Sequence, residues 1–390
     1  MILASIVQLA TTLLSMAALV YFLLALRAAR AYARSLRQPL PDFYPAVSIL
    51  KPVKGVDAEM YAAFSSHCRQ QYPGEYEILF GVHSPQDPAV AEIERLQREF
   101  PSQTIRVVVC PEVLGANGKV SNLVRMAAEA RFGHLLINDS DIHVSPRYLS
   151  RVMPRFAAPG KTNRPVGMVT ALYRGRAHGT LGSQLEALGI ATDFIPGVLT
   201  SRWLEQGLRF GLGSTLAVTR QALEAIGGLR PLVDHLADDY ELGARIAQAG
   251  YRVELSAEVV ETSVPAYSFP QFWAHQLRWA RGVRDARRLG YLGLAVTFGL
   301  PWALANAVAS AASLDSLALL SVMLCVRAAV ALTVGLGVLG DRGTLRNLWL
   351  LPLRDLIGLA VWFWSFADNH VLWRGERFLL RGGRLIRSAK

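Results

Sequence analysis

Apolar residues of this chain concentrate near its two ends, and a region of shorter apolar runs separates them. Met1 to Leu26 includes no charged side chain. A run of this length predicts a helix that crosses a hydrocarbon core of about 30 Å. Basic residues follow the run instead of preceding it, which favours an uncleaved anchor over a cleaved signal peptide. They are Arg27, Arg30, Arg34 and Arg37.

The second apolar zone lies in the C-terminal third of the chain. Tyr291–Ala312 and Leu317–Leu339 each have the length of a membrane span, although the second includes Arg327. Leu348–Trp373 has Arg354–Asp355 near its start, and its charge-free part is short. Such a segment is either a span with a buried charged pair or a re-entrant or interfacial segment.

Positive charges predict the orientation of these segments. Four arginines follow the first span, and residues 374–390 contain six basic side chains against one acidic. Both flanks are therefore expected in the cytoplasm. That placement favours two full spans plus a third segment that does not cross. The predicted order is an anchor at 1–26, a cytoplasmic catalytic domain at 27–290, membrane segments at 291–373 and a basic tail at 374–390.

Between about Asp42 and Ala286, short apolar runs alternate with amphipathic stretches. Alternating strands and helices indicate βαβ units and a mostly parallel sheet, in which ligands bind beyond the carboxyl ends of the strands. The predicted strands are Ala46–Leu50, Tyr76–Val82, Ile105–Val109 and His134–Asn138, and the predicted helices are 57–70, 88–99 and 118–131.

The composition agrees with a membrane protein. Hydrophobic residues make up 52% of the chain, and its net charge is +11. Much of the positive charge flanks apolar segments, where it would meet anionic lipids, and no nucleic-acid motif accompanies it. The three cysteines are scattered without metal-ligand spacing, which is typical of a reduced compartment.

Acidic residues follow several of the predicted strands. Asp139 and Asp141 come directly after the apolar run of the fourth strand, at a spacing that lets two carboxylates share one hard divalent cation. Asp87 follows an earlier strand, where helix capping and ligand binding are compatible roles. Asp238 and Asp239 begin a probable helix, where acidic side chains favour the helix dipole. Asp239 is also a candidate general base.

The segment from Phe269 to Asp285 has the pattern of an amphipathic helix. Its apolar arc consists of Phe272, Trp273, Leu277, Trp279, Ala280 and Val283, and Arg278, Arg281 and Asp285 lie opposite. Such a helix suits a membrane interface. Arg278 could in addition bind phosphate, and Trp279 could stack near a ligand.

Taken together, these motifs resemble the ceramide glucosyltransferase-like branch of the inverting GT-A glycosyltransferases. Three separated aspartate motifs precede an (Q/R)xxRW motif, between an N-terminal anchor and C-terminal membrane segments. Val47–Asp57 resembles the opening strand and loop of the family, and Lys119–Leu123 resembles another of its segments. The resemblance covers nearly the whole chain. It implies an α/β GT-A catalytic domain, Rossmann-like with a mostly parallel sheet, together with transmembrane and interfacial helices.

The resemblance also implies a role for each matching residue. Asp87 matches the first aspartate, expected at the nucleotide. Asp139 matches the second, with Asp141 completing Asp-x-Asp, and both are expected to bind Mn²⁺ or Mg²⁺. Asp239 matches the third aspartate, the expected base that deprotonates the acceptor.

Further residues are assigned to the two substrates on the same ground. Lys119, Arg278 and Trp279 are expected at the donor. His275 stands where the family has Gln or Arg, so the polar contact of that position is an open question. The acceptor side is assigned to the residues Gly213, Ser214, His275 and Asp238.

The implied reaction is a single displacement with inversion, from a UDP-sugar to a lipid hydroxyl. The sugar is glucose or N-acetylglucosamine. The acceptor is a ceramide or, since the Ala/Arg/Gly/Leu-rich composition suggests a bacterial inner-membrane protein, a hopanoid polyol. A processive polysaccharide synthase shares the motifs but normally needs more spans. A membrane protein that binds UDP-sugar without catalysis is the other alternative.

Overall fold

A computed structural model describes residues 2–57, 59–160, 163–373 and 375–387. The described chain forms two compact units, each assembled from segments distant in sequence. The sheet unit comprises Gln38–Tyr173, Glu205–Ser263 and Gly383–Lys390, and the helical unit comprises Met1–Arg37, Arg174–Leu204 and Val264–Gly382. Arg374 and the last three residues of the predicted basic tail lie outside the described residues.

Helices occupy most of the predicted helical stretches. In chain order they are α1 Ile2–Ser35, α2 Met60–Cys68, α3 Ala89–Glu99, α4 Gly118–Glu129, α5 Tyr148–Val152, α6 Leu181–Gly189, α7 Ile195–Leu204, α8 Arg220–Ala225, α9 Asp238–Gln248, α10 Phe269–Ala286, α11 Arg288–Gly293, α12 Gly299–Ala309, α13 Leu314–Ala331, α14 Arg342–Arg346 and α15 Leu351–Ser365.

Eleven strands are present among the described residues. They are β1 Val47–Pro52, β2 Tyr76–Val82, β3 Thr104–Val109, β4 His134–Ile137, β5 Ile142–His143, β6 Val166–Arg176, β7 Leu216–Thr219, β8 Arg252–Ser263, β9 His370–Trp373, β10 Glu376–Arg381 and β11 Arg384–Arg387. The seven strands and helices predicted between residues 46 and 138 are all found, with ends that differ by at most three residues.

The sheet of the sheet unit has the strand order β3-β2-β1-β4-β7-β6-β8-β5. The strands β3, β2, β1 and β4 are parallel to one another, whereas β7 is antiparallel to both β4 and β6. Strand β1 is buried along almost its whole length, which is typical of a strand covered on both faces. The parallel half brings the carboxyl ends of β1, β2 and β4 to one edge, where the aspartate motifs follow.

The helical unit contains the candidate membrane spans. Within the part of the chain that the structure describes, three helical segments are long and apolar enough to cross a bilayer, namely Ala4–Ser35, Leu314–Val338 and Leu348–Ser365. A fourth segment is bent by 54° between Arg288–Thr297 and Gly299–Ala309. It is therefore a broken span or a re-entrant loop.

Two of the three predicted C-terminal segments, 291–312 and 348–373, differ in form from the expectation, and whether each of them crosses the membrane stays a prediction. The segment near 291–312, expected to span, is the bent one, and the segment near 348–373, expected not to cross, passes the length and composition test. Pro301 explains the bend, because a proline in the first turn of α12 cannot continue the preceding helix.

Ion pairs within the helical unit explain how the segment Leu348–Ser365 accommodates its charged residues. Arg327 is 2% exposed and donates to both carboxylate oxygens of Asp355, over 2.9 and 2.7 Å. It also donates to Asp193 Oδ1 over 2.5 Å, and Arg354 pairs with Asp193 Oδ2 at 3.2 Å. The charges that argued against a span are thus compensated inside the unit, as buried charges require.

Candidate active site

The loop after β4 places Asp139 beside a lysine from α4. Lys119 Nζ lies 2.8 Å from Asp139 Oδ1 and 3.3 Å from Asp238 Oδ2. Burial of the ammonium favours its neutral form, but the two carboxylates outweigh that effect and hold the pKa of Lys119 above its ordinary value. One cation therefore joins residues from three separate segments of the sheet unit.

Asp239 lies in the first turn of α9, next to Asp238. Its Oδ1 accepts a hydrogen bond from the backbone N–H of Tyr240 over 2.8 Å. Burial, followed by the negative charge of Asp238, raises the pKa of Asp239 to about 6. A carboxylate with a pKa near neutrality is well suited to accept a proton from a hydroxyl group.

Gly213 shows that two of the carboxylates converge. A methyl group added at this glycine would lie 3.0 Å from Asp239 Oδ2 and 3.8 Å from Asp139 Oδ2. Both oxygens therefore lie near the same glycine, where any side chain would crowd them. The hydroxyl of the neighbouring Ser214 donates to the carbonyl of Ala171 and the residue is 5% exposed, and its predicted role at the acceptor stays a prediction.

Asp141 is directed to a neighbouring strand. Its Oδ2 accepts a hydrogen bond from the hydroxyl of Thr262 on β8. Burial and then the negative charge of Asp139 raise the pKa of Asp141. The two carboxylates of Asp-x-Asp therefore repel one another, which a cation between them would relieve.

A divalent cation at this site would draw only part of its ligand shell from side chains. Among the described residues, no group of three or more His, Cys, Asp or Glu side chains is placed to hold a metal. Mg²⁺ sites commonly use one or two carboxylates, with water and substrate phosphates completing the shell. Asp139 and Asp141 fit that pattern, in which the substrate supplies further ligands.

Asp87 holds the loop that follows β1. Its two carboxylate oxygens accept the backbone N–H of Gly55 over 3.0 and 3.1 Å, and Oδ1 also accepts that of Ala89 at the start of α3. Gly55 has a positive φ of 71°, a conformation that favours glycine. Asp87 thus satisfies one backbone N–H at the start of α3, and its predicted role at the nucleotide stays a prediction.

The residues of the last motif lie on α10, in the helical unit. His275 Nδ1 lies 3.3 Å from Glu186 Oε2, which also accepts a hydrogen bond from Gln276. Trp279 packs edge-on against Phe194, with ring centroids 5.9 Å apart. The polar contact of His275 that was in question is therefore an interaction with a buried carboxylate of α6.

The predicted amphipathic pattern of α10 is partly found. Phe272 and Leu277 pack in an apolar cluster with residues of α6 and α15. Val283, predicted on the same arc, is 44% exposed. Arg284 is buried instead, because its guanidinium binds the carbonyl of Ser365 and the side chain of Asn369 at the end of α15.

Sequence reasoning missed a polar network beneath the Asp139 loop. Lys51 is fully buried at the end of β1, where its Nζ donates to the carbonyl of Asp139 over 3.0 Å. Burial lowers its pKa to about 7. Asn138 links the same loop to the carbonyl of Ser214 over 2.6 Å and to the hydroxyl of Tyr148 over 3.0 Å. A lysine inside an apolar strand was the available signal for this network.

Asn117 was also missed. It caps α4 by accepting the backbone N–H of Val120, and its amide donates to the carbonyl of His235 and to Asp238 Oδ1. An Asn just before a helix is a recognised capping signal. Its second role, joining α4 to the segment before α9, depends on tertiary structure.

Comparisons with known proteins agree with these features. Ceramide glucosyltransferase 3 of Caenorhabditis elegans is 24% identical over 237 residues, which are 61% of this chain and 50% of that protein. The beta-monoglucosyldiacylglycerol synthase of Synechocystis sp. is 23% identical over 241 residues, 61% of this chain and 48% of that protein. The chain thus spans about half the length of these curated relatives.

A solved structure shares the fold. A mannosyltransferase from Pyrobaculum calidifontis, in complex with GDP-Man and Mn²⁺, matches with a TM-score of 0.55 and 20% identity. The match covers 90% of this chain and 99% of that chain. The predicted GT-A fold is therefore confirmed.

The family model of glycosyl transferase family 21 matches residues 10–386, almost the whole chain. This match and the ceramide glucosyltransferase relatives confirm the resemblance found in the motifs. The chain belongs to glycosyl transferase family 21.

Proposed function

We propose that this protein transfers a hexose from a UDP-sugar to the hydroxyl group of a membrane lipid, with inversion at the anomeric carbon. The observation that carries the proposal is the arrangement of Lys119, Asp139 and Asp238 in contact, with Asp239 facing the same glycine as Asp139. Family membership and the lipid-modifying activities in the names of its relatives support the substrate class.

Asp239 is the proposed proton acceptor. The acceptor oxygen forms a bond to the anomeric carbon while the bond between that carbon and the diphosphate oxygen breaks, its electron pair leaving with UDP. The hydroxyl proton passes to Asp239. General base catalysis of this kind contributes about 10²–10⁴-fold to the rate.

Asp139 and Asp141 are the proposed ligands of a divalent cation. When bound, Mn²⁺ or Mg²⁺ would neutralise negative charge on the leaving diphosphate. The mannosyltransferase of the same fold was solved with Mn²⁺. Lys119 is proposed to hold Asp139 in place and to contribute positive charge on the donor side. The donor roles of Asp87, Arg278 and Trp279, and the acceptor roles of the residues around Gly213, are retained as predictions.

The proposed location is a bacterial inner membrane, with the catalytic domain in the cytoplasm. Three candidate spans support membrane insertion, and the arginines after α1 support the orientation through the positive-inside rule. Anionic lipids are proposed neighbours of the basic flanks.

A nucleotide-release assay tests the proposal. Detergent-purified protein is given UDP-glucose or UDP-N-acetylglucosamine with ceramide or a hopanoid polyol, with and without Mn²⁺ or Mg²⁺. Asp239→Asn is the test variant, and Asp42→Asn at an exposed position of the sheet unit is the matched control. UDP release that requires lipid and metal, falls by at least about 100-fold in Asp239→Asn and persists in the control would support the proposal.

Other outcomes favour the alternatives. Release of UDP with a polymeric product, independent of added lipid, would indicate a processive polysaccharide synthase. Protein that binds UDP but releases no UDP from any of the four donor–acceptor pairs would favour a non-catalytic UDP-sugar-binding protein. Undiminished activity in Asp239→Asn would remove Asp239 from the role of base.

A further inference from the structure

Strand β11, near the C-terminus, pairs with the segment that leads into the candidate active site. The backbone N–H of Leu385 donates to the carbonyl of Asp234 over 2.7 Å, and that of Leu236 donates to the carbonyl of Gly383 over 3.0 Å. His235 and Arg384 form the antiparallel bridge between them. All of these residues belong to the sheet unit.

The paired segment, Asp234–Leu236, ends just before Asp238 and Asp239. Any displacement of its backbone therefore moves the first turn of α9, where both carboxylates lie. Leu385 is 4% exposed, so the strand is also packed by its side chain. Pairing with β11 satisfies one carbonyl and one N–H of a segment that has no regular structure of its own.

A second loop holds the opposite side of this segment. The N–H of Ala116 donates to Asp234 Oδ1 over 2.9 Å, and the amide of Asn117 donates to the carbonyl of His235 over 2.9 Å. Asn117 caps α4, the helix that carries Lys119. The segment is thus held between β11 and the start of α4, so that both supports act on the geometry between Lys119 and Asp238.

We propose that β11 is a positioning element of the transferase site, which fixes the backbone before α9 and thereby the place of Asp239. The inference rests on the proposed role of Asp239. It assigns the Arg384–Arg387 part of the predicted basic tail a specific task in addition to its charge. Since a misplacement of about 1 Å in an active site can cost about 100-fold in rate, loss of this pairing should act mainly on kcat.

The test compares two substitutions at one position. Leu385→Pro removes the N–H that donates to Asp234, whereas Leu385→Val keeps the N–H and most of the apolar side chain. Steady-state kinetics give kcat and the donor KM, and hydrogen exchange reports residues 234–240. The expected result for Leu385→Pro is a kcat about 100-fold lower with a nearly unchanged donor KM and faster exchange at 234–240. Leu385→Val should leave kcat and the exchange at 234–240 near their native values.

Faster exchange at 234–240 with an unchanged kcat would overturn the proposal, as would unchanged exchange in Leu385→Pro. Exchange at 47–52, in β1, serves as the control for global folding. If exchange at 47–52 is also faster in Leu385→Pro, alanine variants at the two glycines of the turn before β11, Gly382 and Gly383, provide the test. Ala at Gly383 or Gly382 would meet a positive φ of 75° or 58°, but only Gly383 carries the carbonyl that accepts the N–H of Leu236. Because strain at Gly383 acts directly on that pairing, Gly383→Ala should lower kcat more than Gly382→Ala, and equal effects would count against the proposal.

The failure of the proposed function is distinguishable from the failure of this inference. A native chain that transfers no sugar would count against the function alone, and the exchange comparison would still test the pairing. An active native chain whose kcat is unaffected by Leu385→Pro, with β1 intact, would count against the positioning role alone.

Discussion

Lowering the pH tests whether the carboxylate of Asp239 accepts the proton of the acceptor hydroxyl. A general base must be ionised to act, so activity is lost as the pH falls through its pKa. Burial of Asp239, and then the charge of Asp238, raise that pKa from the ordinary 3.8 to about 6. The acid limb of kcat/KM should therefore lie near pH 6.

The expected size of the effect follows from the ionised fraction. With a pKa of about 6, about one-tenth of the enzyme carries an ionised Asp239 at pH 5, and kcat/KM should be about tenfold below its plateau. With the ordinary value of 3.8, more than about nine-tenths would be ionised at pH 5 and almost no activity would be lost.

Two neighbouring charges should move the acid limb in opposite directions. Asp238→Asn removes a negative charge that raises the pKa of Asp239, so the limb should shift to lower pH. Lys119→Met removes a positive charge that lowers this pKa, so the limb should shift to higher pH. Both variants are also expected to lose activity at the plateau, because each residue belongs to the cluster.

The assay is nucleotide release at saturating metal, with kcat/KM measured between pH 4.5 and 8 and re-measured after return to neutral pH. Full recovery shows that the loss is not caused by unfolding. A kcat/KM that stays level down to pH 5 would refute the assignment of a raised pKa to the base. Shifts of the limb in the same direction for both variants would refute the electrostatic explanation.

Two further predictions concern packing. Gly213→Ala places a methyl 3.0 Å from Asp239 Oδ2 and should lower kcat/KM by at least about tenfold. Gly133→Ala, with nothing within 4 Å of the added methyl, should leave kcat/KM unchanged. Equal kinetics in the two variants would contradict the close approach of Asp239 to Gly213. Arg327→Met leaves Asp355 buried without its main partner and should lower the free energy of unfolding by about 3–5 kcal/mol. The double variant Arg327→Met with Asp355→Leu should recover most of this stability. Thermal unfolding in detergent measures the stability of the single and the double variant, and a double variant no more stable than Arg327→Met would contradict the pairing.

The sequence predicted the local elements well, because each follows from short-range periodicity. Tyr76–Val82 is found with the predicted bounds, and the N-terminal run forms a helix that continues to Ser35. The antiparallel half of the sheet was not predicted. Its strand β7 lies between β4 and β6 through pairing across long stretches of chain, which local patterns do not report.

The charged residues of the C-terminal segments show the same limit. Arg354 and Asp355 argued against a membrane span as long as each charge was considered alone. Their partners, Asp193 and Arg327, come from other helices, and only the packed unit shows that the charges are compensated. Pro301, by contrast, carried a local signal of the bend, since proline limits the preceding helix wherever it occurs.

By itself the sequence determined the family motifs, the types of residue at the ends of strands and the apolar runs long enough to span a bilayer. These are properties of short segments, set by side-chain chemistry and by periods of two or 3.6 residues. Only the tertiary structure decided that Lys119 joins Asp139 to Asp238, that Lys51 supports the Asp139 loop and that β11 pairs with the segment before α9. Those contacts join residues far apart in the chain, and their geometry depends on how the strands and helices pack together.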